Sequence, residues 1–476
     1  MKRIGDFFGD FSVRVSLWIT LCFSVVSSLY LAWVFRLSGL MRPGAVDALS
    51  MVAGYSLQAV GTGIVCLALR RGTGWTASLF RWTLGCFLLT ASVAAFSDET
   101  VLCLVAGMMM NLLCGVIAGF YLDLPARTVP GQRQGKVFGF GYALSAVLVW
   151  LLSIPFGGTL TRGRPLIWVA AAMAVLAGWM ARPLLAEGKT GEEPEDQQST
   201  LSLKEGALAA GAVFLLSLVK NLGFSFPTEN LLAGMPLELS RLFYAAGLIL
   251  AGFLCDRSRK SGAVCSVAAL ALPFLMLTLS GQPVSAFACW SLDYLFYGVF
   301  SVFRVVLFWD LAGEKKQRWL APAGLAAGRL GDAAGTGICL LLRGMPVLLV
   351  SVAMGLFMGT VFLFFRLYRW AYEPSAAHPR TEQEVFEEFA IHHDLSLRER
   401  DVLRLLLKEK TNAEIAQALF VTESTAKYHV HNLLQKSGCR NRVELLSAYR
   451  RQLYPGLRLV SEGAEAGLER VSRQPG

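Results

Sequence analysis

Ser424, Thr425, Lys427, Tyr428, His431 and Gln435 fall within twelve residues of one another. Together they offer hydroxyl, ammonium, phenol, imidazole and amide groups, which can donate to phosphate oxygens and reach the edges of bases. At helical spacing they share one side, while Ala426, Val430, Leu433 and Leu434 make an apolar stripe on the other. A protruding polar face of this kind fits the major groove of DNA. A second set, Arg241, Asp293, Arg329 and Asp332, stands inside long apolar stretches. Ionisable groups at membrane depth are costly and mark ligand or ion paths. Neither set contains a nucleophile beside a base, so no catalytic residues are expected. The ten cysteines are scattered, with no CxxC pair and no metal-type histidine spacing. No metal, cofactor or disulfide framework is expected.

The elements that must hold the first set are legible. Thr411 to Leu434 reads as helix, tight turn, helix. Four short helices are expected at about 397–408, 412–419, 423–437 and 441–453. Ser396 stands three residues before Glu399, Thr411 before Glu414 and Asn441 before Glu444, as capping boxes require. Thr422 caps the third helix and Gly438 stops it. Residues 395–455 carry 11 Lys/Arg against 6 Asp/Glu, an excess that suits phosphate contact. A solvated basic face on a small helical bundle is the plainer alternative.

The runs Leu395-Ser-Leu-Arg-Glu399, Thr411-Asn-Ala-Glu-Ile-Ala416, Thr422-Glu-Ser-Thr-Ala-Lys427-Tyr-His-Val430 and Lys436-Ser-Gly-Cys-Arg-Asn-Arg442-Val-Glu444 resemble the LuxR-type DNA-binding domain. The likeness covers about 60 residues without a gap. It implies that the helix from Glu423 is the recognition helix, with Lys427, Tyr428 and His431 at base-reading positions and Gln435 on the same face. It implies phosphate contacts near Asn412 (with Thr411 beside it), Thr422, Ser424 and Thr425. It also implies a homodimer on double-stranded DNA through the fourth helix, around Val443, Leu446 and Tyr449. Ala426 departs from the family's usual valine.

The rest of the chain is of another kind. The 476 residues are 54% hydrophobic and 16% charged, with net charge +10 and mean hydropathy +0.51. Average soluble domains hold roughly a quarter charged residues, so the apolar excess belongs in lipid. Twelve spans are expected, near 13–35, 45–69, 75–96, 100–122, 137–156, 165–186, 206–226, 237–255, 263–281, 284–308, 321–342 and 346–365. The first is too long, and its flanks are wrong, for a cleavable signal peptide. With a cytoplasmic N-terminus, twenty basic residues near span ends, Arg304 among them, face inward and six, Lys220 among them, face outward. The expected location is the cell (inner) membrane, multi-pass, with both termini cytoplasmic.

The fold class is therefore all-α: a polytopic membrane bundle followed by a small soluble four-helix domain with a helix-turn-helix. The membrane domain is expected over 1–372, its halves at 13–186 and 206–365 separated by a polar linker at 187–205. The equal division suggests two pseudo-repeated bundles. After the eighth span, Gly252-Phe-Leu-Cys-Asp256-Arg257-Ser-Arg259-Lys260 resembles the loop motif of the major facilitator superfamily, lacking its second glycine. The counterpart Leu67-Ala-Leu-Arg-Arg-Gly72 lacks the aspartate. Arg241, Asp293, Arg329 and Asp332 are expected to line a polar cavity between the halves, or Asp293 to pair structurally with Arg329 or Arg241. Trp290, Tyr294, Phe296 and Tyr297 flank Asp293, as pocket wall or as packing.

A linker with a short acidic helix is expected at 373–394, packing through Val385, Phe386 and Phe389 or acting as a spacer. The DNA-binding domain follows at 395–455 and a disordered tail at 456–476. Two functions fit: a membrane-embedded regulator that senses an unknown small molecule and binds DNA, or a transporter with a fused regulatory domain.

Overall fold

The computed structural model describes residues 10–72, 74–153, 163, 165–188, 203–223, 239–276, 283–314, 317–372, 382–408 and 410–453. Most of the expected linker at 187–205, the segment 373–381 and the tail at 456–476 lie outside them. The chain divides into two units, Met1–Tyr372 and Glu373–Gly476. The described residues are helical in both, with no strand among them.

The long helices among the described residues of the first unit are α1 (Phe11–Leu40), α2 (Pro43–Arg70), α3 (Ala77–Phe96), α4 (Thr100–Thr128), α5 (Gly131–Ser153), α6 (Pro165–Gly188), α7 (Leu203–Gly223), α8 (Ser240–Arg257), α9 (Arg259–Ala268), α10 (Pro283–Glu314), α11 (Ala323–Leu341) and α12 (Pro346–Tyr372). Among the described residues nine are long and apolar enough to cross a bilayer: α1 to α7, α10 and α12. α9 tightens into a 3₁₀ turn at Ala269–Ala271 before a last turn at Leu272–Met276. Pro273, which lacks an N–H, sits in that last turn. α11 carries Arg329, Asp332 and five glycines, which lower its apolar content. α2 contains a wide π-helical turn over Ala48–Ala53.

Small residues let these helices touch backbone to backbone. A methyl group at Gly115 of α4 would collide with the Gln58 carbonyl of α2, and one at Gly61 with the Leu112 carbonyl. The halves meet where α5 lies along α8 and where α2 lies along α11. Matching α1–α6 onto α7–α12 pairs α2 with α8 and α5 with α11. The two contacts are thus one interface repeated by a pseudo-two-fold, as in inverted or parallel repeat bundles.

Arg304 and Lys220 correct the reading of the span ends. α10 runs to Glu314, six residues beyond the expected end. Arg304 therefore lies ten residues inside the helix, about 15 Å from its end, and is 3% exposed. Lys220 is also buried. Neither marks a membrane surface.

The second unit comprises α13 (Glu382–His392), α14 (Leu397–Leu407), α15 (Asn412–Leu419), α16 (Glu423–Lys436) and α17 (Arg442–Leu453). Its core joins Phe389 of α13, Val402 and Leu406 of α14, Ile415 of α15, Leu433 of α16 and Tyr449 of α17. The acidic helix is therefore a packed part of this unit. Tyr449, expected on the dimerisation surface, is 2% exposed. Its ring meets Phe389 edge-on at 5.5 Å and its hydroxyl donates to the Glu382 carbonyl at 3.3 Å. Of the three residues expected on the dimerisation surface, Val443 is exposed and Leu446 half-buried, while Tyr449 is covered by α13.

Candidate functional site: the helix-turn-helix and the membrane chamber

Capping fixes the helix-turn-helix at each end. Thr411 accepts the Glu414 N–H, and the Glu414 carboxylate accepts the Thr411 N–H at 2.7 Å. Ser396 and Glu399 close the same box on α14. Lys410 donates to Glu414 at 2.9 Å. That bond and the Thr411 N–H hold the Glu414 carboxyl down at about 2. The third box differs from expectation. Asn441 accepts the Glu444 N–H, but Glu444 reaches past Asn441 to the Arg440 N–H at 2.8 Å.

The turn is made by Phe420, left-handed at φ 56° with its ring 96% exposed. Val421 N–H returns to the Ala416 carbonyl. Thr422 then caps α16 by accepting the Thr425 N–H at 3.2 Å, and its hydroxyl lies 2.8 Å from those of Ser424 and Thr425. Gly438, at φ 66°, ends the helix in the conformation that glycine adopts without strain.

Along α16, Ala426 and Leu433 are buried. Lys427, Tyr428, His431 and Gln435 are exposed, as are Thr411, Thr422 and Ser424, while Asn412 and Thr425 are half-buried. The residues expected to read and hold DNA are thus exposed or half-buried on two capped helices. Lys427 is held by Glu423 one turn earlier, 2.9 Å away. Charge-assisted contact of this kind on an exposed surface is weak and exchangeable.

In the membrane unit the four expected residues separate. Arg329 and Asp332 are together, 3.8 Å apart. Asp332 also takes Lys220 of α7 at 2.8 Å and Arg304 of α10 at 3.8 Å. Asn221 donates to the Asp332 carbonyl and to Thr336, both at 2.6 Å. Asp293 is buried, with no hydrogen-bond or ion-pair partner among the described residues. It pairs with neither Arg329 nor Arg241. Arg241 begins α8, half-buried. Sequence reasoning missed Lys220 and Arg304 as members of this cluster. For Arg304 the signal was a cation ten residues inside its helix; Lys220, in the last turn of α7, gave no such signal.

Tyrosines surround the cluster. Arg329 lies over the Tyr55 ring at 4.6 Å and Lys220 over Tyr297 at 4.2 Å. Tyr55 stacks with Tyr30, and Tyr244 with Tyr297 and edge-on with Tyr142. These rings come from α1, α2, α5, α8 and α10. All five are half-buried, and they come from helices that include α2 and the α5–α8 pair, through which the two halves meet.

Two carboxylates at the opposite end of the helices tie the halves. Asp256 accepts the Gly135 and Lys136 N–H groups at the start of α5, at 2.7 and 3.0 Å. Arg259 joins it to Asp310 and to the Gly131 carbonyl. Asp123 of α4 takes a bidentate Arg318 at 2.6 Å and the Trp75 indole N–H at 2.8 Å. The first-half loop lacks an aspartate, and there Arg70 stands over the Trp319 ring instead.

Residues 393–448 match the family described as bacterial regulatory proteins, luxR family. The chain is 44% identical over 64 residues to the spore germination protein GerE of Bacillus subtilis, covering 13% of this chain and 86% of that protein. It is 44% identical over 52 residues to the nitrate/nitrite response regulator protein NarL of Escherichia coli, covering 11% of this chain. It is 45% identical over 53 residues to the uncharacterized transcriptional regulatory protein YhcZ of Bacillus subtilis, also 11% of this chain. The chain spans about a quarter of the length of these last two, 24% and 25%. Among solved structures, it resembles the human organic anion transporter MFSD10, with TM-score 0.51 and 14% identity, covering 74% of this chain and 99% of that one. It resembles the nucleoside transporter NupG with TM-score 0.50 and 12% identity, covering 75% and 100%. At these identities the likeness is one of fold: a transporter-type membrane bundle that precedes a DNA-binding domain.

Proposed function

Through residues 393–448 the chain belongs to the luxR family of bacterial regulatory proteins, and from that premise we propose that it is a membrane-embedded, one-component transcription regulator. The transporter-type bundle binds a small molecule in its chamber, and the second unit binds DNA sequence-specifically as a homodimer. The observation that carries this reading is the coexistence, in one chain, of a capped helix-turn-helix whose candidate DNA-contacting residues are exposed or half-buried and a tyrosine-bordered cluster of buried charges in the membrane unit. Only 373–381 lie between the last helix of the bundle and the first helix of the DNA-binding unit. That length holds no receiver domain.

The mechanism is linkage. A ligand that binds one arrangement of the two halves better than another shifts the balance between them, and the shift changes the placement or pairing of the tethered units. The α5–α8 and α2–α11 contacts are where such a rearrangement would act. Lys427, Tyr428 and His431 read base edges, with Gln435 beside them. Thr411, Asn412, Thr422, Ser424 and Thr425 meet phosphate, and Val443 with Leu446 supply the dimer contact. The basic residues at span ends support a cytoplasmic position for both termini in the cell membrane, even with Arg304 and Lys220 left out.

The test is a genome-wide map of DNA bound by the full-length protein, beside the same map for a Lys427→Ala, His431→Ala double variant. Sharp peaks lost in the variant support the reading, and flat maps for both overturn it. The transporter fold favours a second reading, transport with an attached regulatory domain. Flux of a substrate into vesicles containing the protein would favour it.

A further inference from the structure

The chamber's charge is unbalanced. Lys220, Arg304 and Arg329 converge on one carboxylate, Asp332. Among the described residues three cations face Asp332, and the buried Asp293 stands within electrostatic reach of Lys220, so the cations outnumber the carboxylates three to two. Arg304 is 3% exposed, yet among the described residues its Nε and Nη1 have no hydrogen-bond acceptor, and neither has Arg329 Nε or the Ser217 hydroxyl. The 3.8 Å separations from Asp332 are too long for hydrogen bonds. Buried donors are nearly always satisfied, and each exception asks for an explanation. A guanidinium presents a planar fork that matches a carboxylate or phosphate. The walls beside the fork are aromatic: Tyr142, Tyr121, Phe23 and Phe138 border the same void as Arg304 and Arg329.

We propose that the chamber is a binding site for a small organic anion, with a carboxylate or phosphate head on Arg304 and Arg329 and an aromatic or apolar body among the tyrosines. The proposal rests on the reading of the membrane unit as a ligand-binding device and names its ligand class. The enclosed void beside the two arginines is about 10 Å³, room for one water. Such an anion therefore enters when the halves separate, which makes its binding depend on their arrangement. Asp332 acts as the internal stand-in anion that neutralises part of the cluster while the chamber is empty.

The experiment uses full-length protein in lipid nanodiscs and reads its thermal midpoint at constant ionic strength. Benzoate and phenyl phosphate are the anionic probes, benzamide the neutral one and benzylamine the cationic one. At about ten times their Kd, the anions are expected to raise the midpoint by about 2–4 °C, and benzamide and benzylamine to leave it unchanged. Arg304→Gln with Arg329→Gln abolishes the anion shift. Asp332→Asn, which removes the competing carboxylate, enlarges it. This second variant keeps the proposal testable if the arginine variant fails to fold. Equal shifts from benzamide, a preference for benzylamine, no shift from either anion, or an anion shift surviving the arginine variant would each overturn the proposal. The readout involves no DNA. Flat DNA maps with an intact anion shift would sink the regulatory reading alone, and sharp maps without the shift would sink the anion site alone.

Discussion

Lys436, the last residue of α16, donates to Glu399 Oε2 at 2.8 Å, and the same oxygen accepts the Ser396 N–H at 2.7 Å. One buried carboxylate thus caps α14 and anchors the far end of α16.

Burial pushes the Glu399 carboxyl up, but Lys436 and the Ser396 N–H outweigh it and hold the group below its ordinary 4.5. A carboxyl lowered in the folded state adds stability above its unfolded value, and that stability is lost as pH falls through the folded value. The second unit, residues 382–453, is expected to weaken below pH 4.5, with part of that loss absent in Glu399→Gln. Lys436→Met, which leaves the carboxylate buried without its cation, is expected to cost about 1–3 kcal/mol. Urea unfolding of the 382–453 fragment between pH 3 and 7 measures both.

α13 is integral to the second unit because Phe389 fills the space over Tyr449. Phe389→Ala is expected to cost about 3–5 kcal/mol. A fragment beginning at Leu395 should melt well below one beginning at Glu382. Circular dichroism melts of the two fragments decide it.

Lys427 sits on Glu423 at the protein surface, where such pairs contribute roughly 0.3–0.5 kcal/mol. Lys427→Ala should therefore leave stability nearly unchanged while weakening operator binding by about 1–3 kcal/mol. Glu423→Gln should tighten binding slightly, because it releases the ammonium. Fluorescence anisotropy on an operator taken from the DNA map gives both values, and a loss of affinity in Glu423→Gln would contradict this role for Lys427.

Asp256 is nearly inaccessible and accepts two N–H groups at the start of α5. Asp256→Ala is expected to lower the thermal midpoint of the membrane unit, with a cost of about 3–5 kcal/mol for breaking a buried ionic network. Cys255, now 1% exposed beside the same network, should then react faster with maleimide. Unchanged alkylation with a lowered midpoint would show that the tie stabilises without closing the helix ends.

Gly115 and Gly61 allow α4 and α2 to touch. Alanine at either should cost about 1–3 kcal/mol through overpacking. Alanine at Gly63, which has nothing within 4 Å, should be tolerated. Monodisperse yield and thermal midpoint of the three variants test the crossing.

Local rules made the second unit legible. Ser396, Thr411, Thr422 and Gly438 do the capping expected of them because caps depend on neighbours within one turn. Apolar length likewise located nine long apolar helices among the described residues, but the expected spans at 237–255, 263–281 and 321–342 correspond to α8, the interrupted α9 and the glycine-rich α11, which do not reach that length and apolarity. What stayed hidden depends on partners far along the chain. Arg304 and Lys220 look like span-end cations until α7, α10 and α11 bring them to Asp332. Tyr449 has the exposure pattern of an interface residue until α13, more than fifty positions earlier, covers it. Hydropathy sets the depth of a residue in the membrane, but not the neighbour its side chain meets.

The wide turn at Ala48–Ala53 has a consequence for how α2 can be altered. A π turn holds one residue more than an α-helix would use for the same path. Each residue of an α-helix advances the side chains by about 100°. The segments before and after the turn are therefore out of phase by that angle relative to an unbroken helix. Tyr55 meets Arg329, and Gln58 meets Asn111, only with this offset in place. Deleting a single residue from the turn would leave the composition of α2 almost untouched and rotate the wall of the chamber by more than a quarter of a revolution.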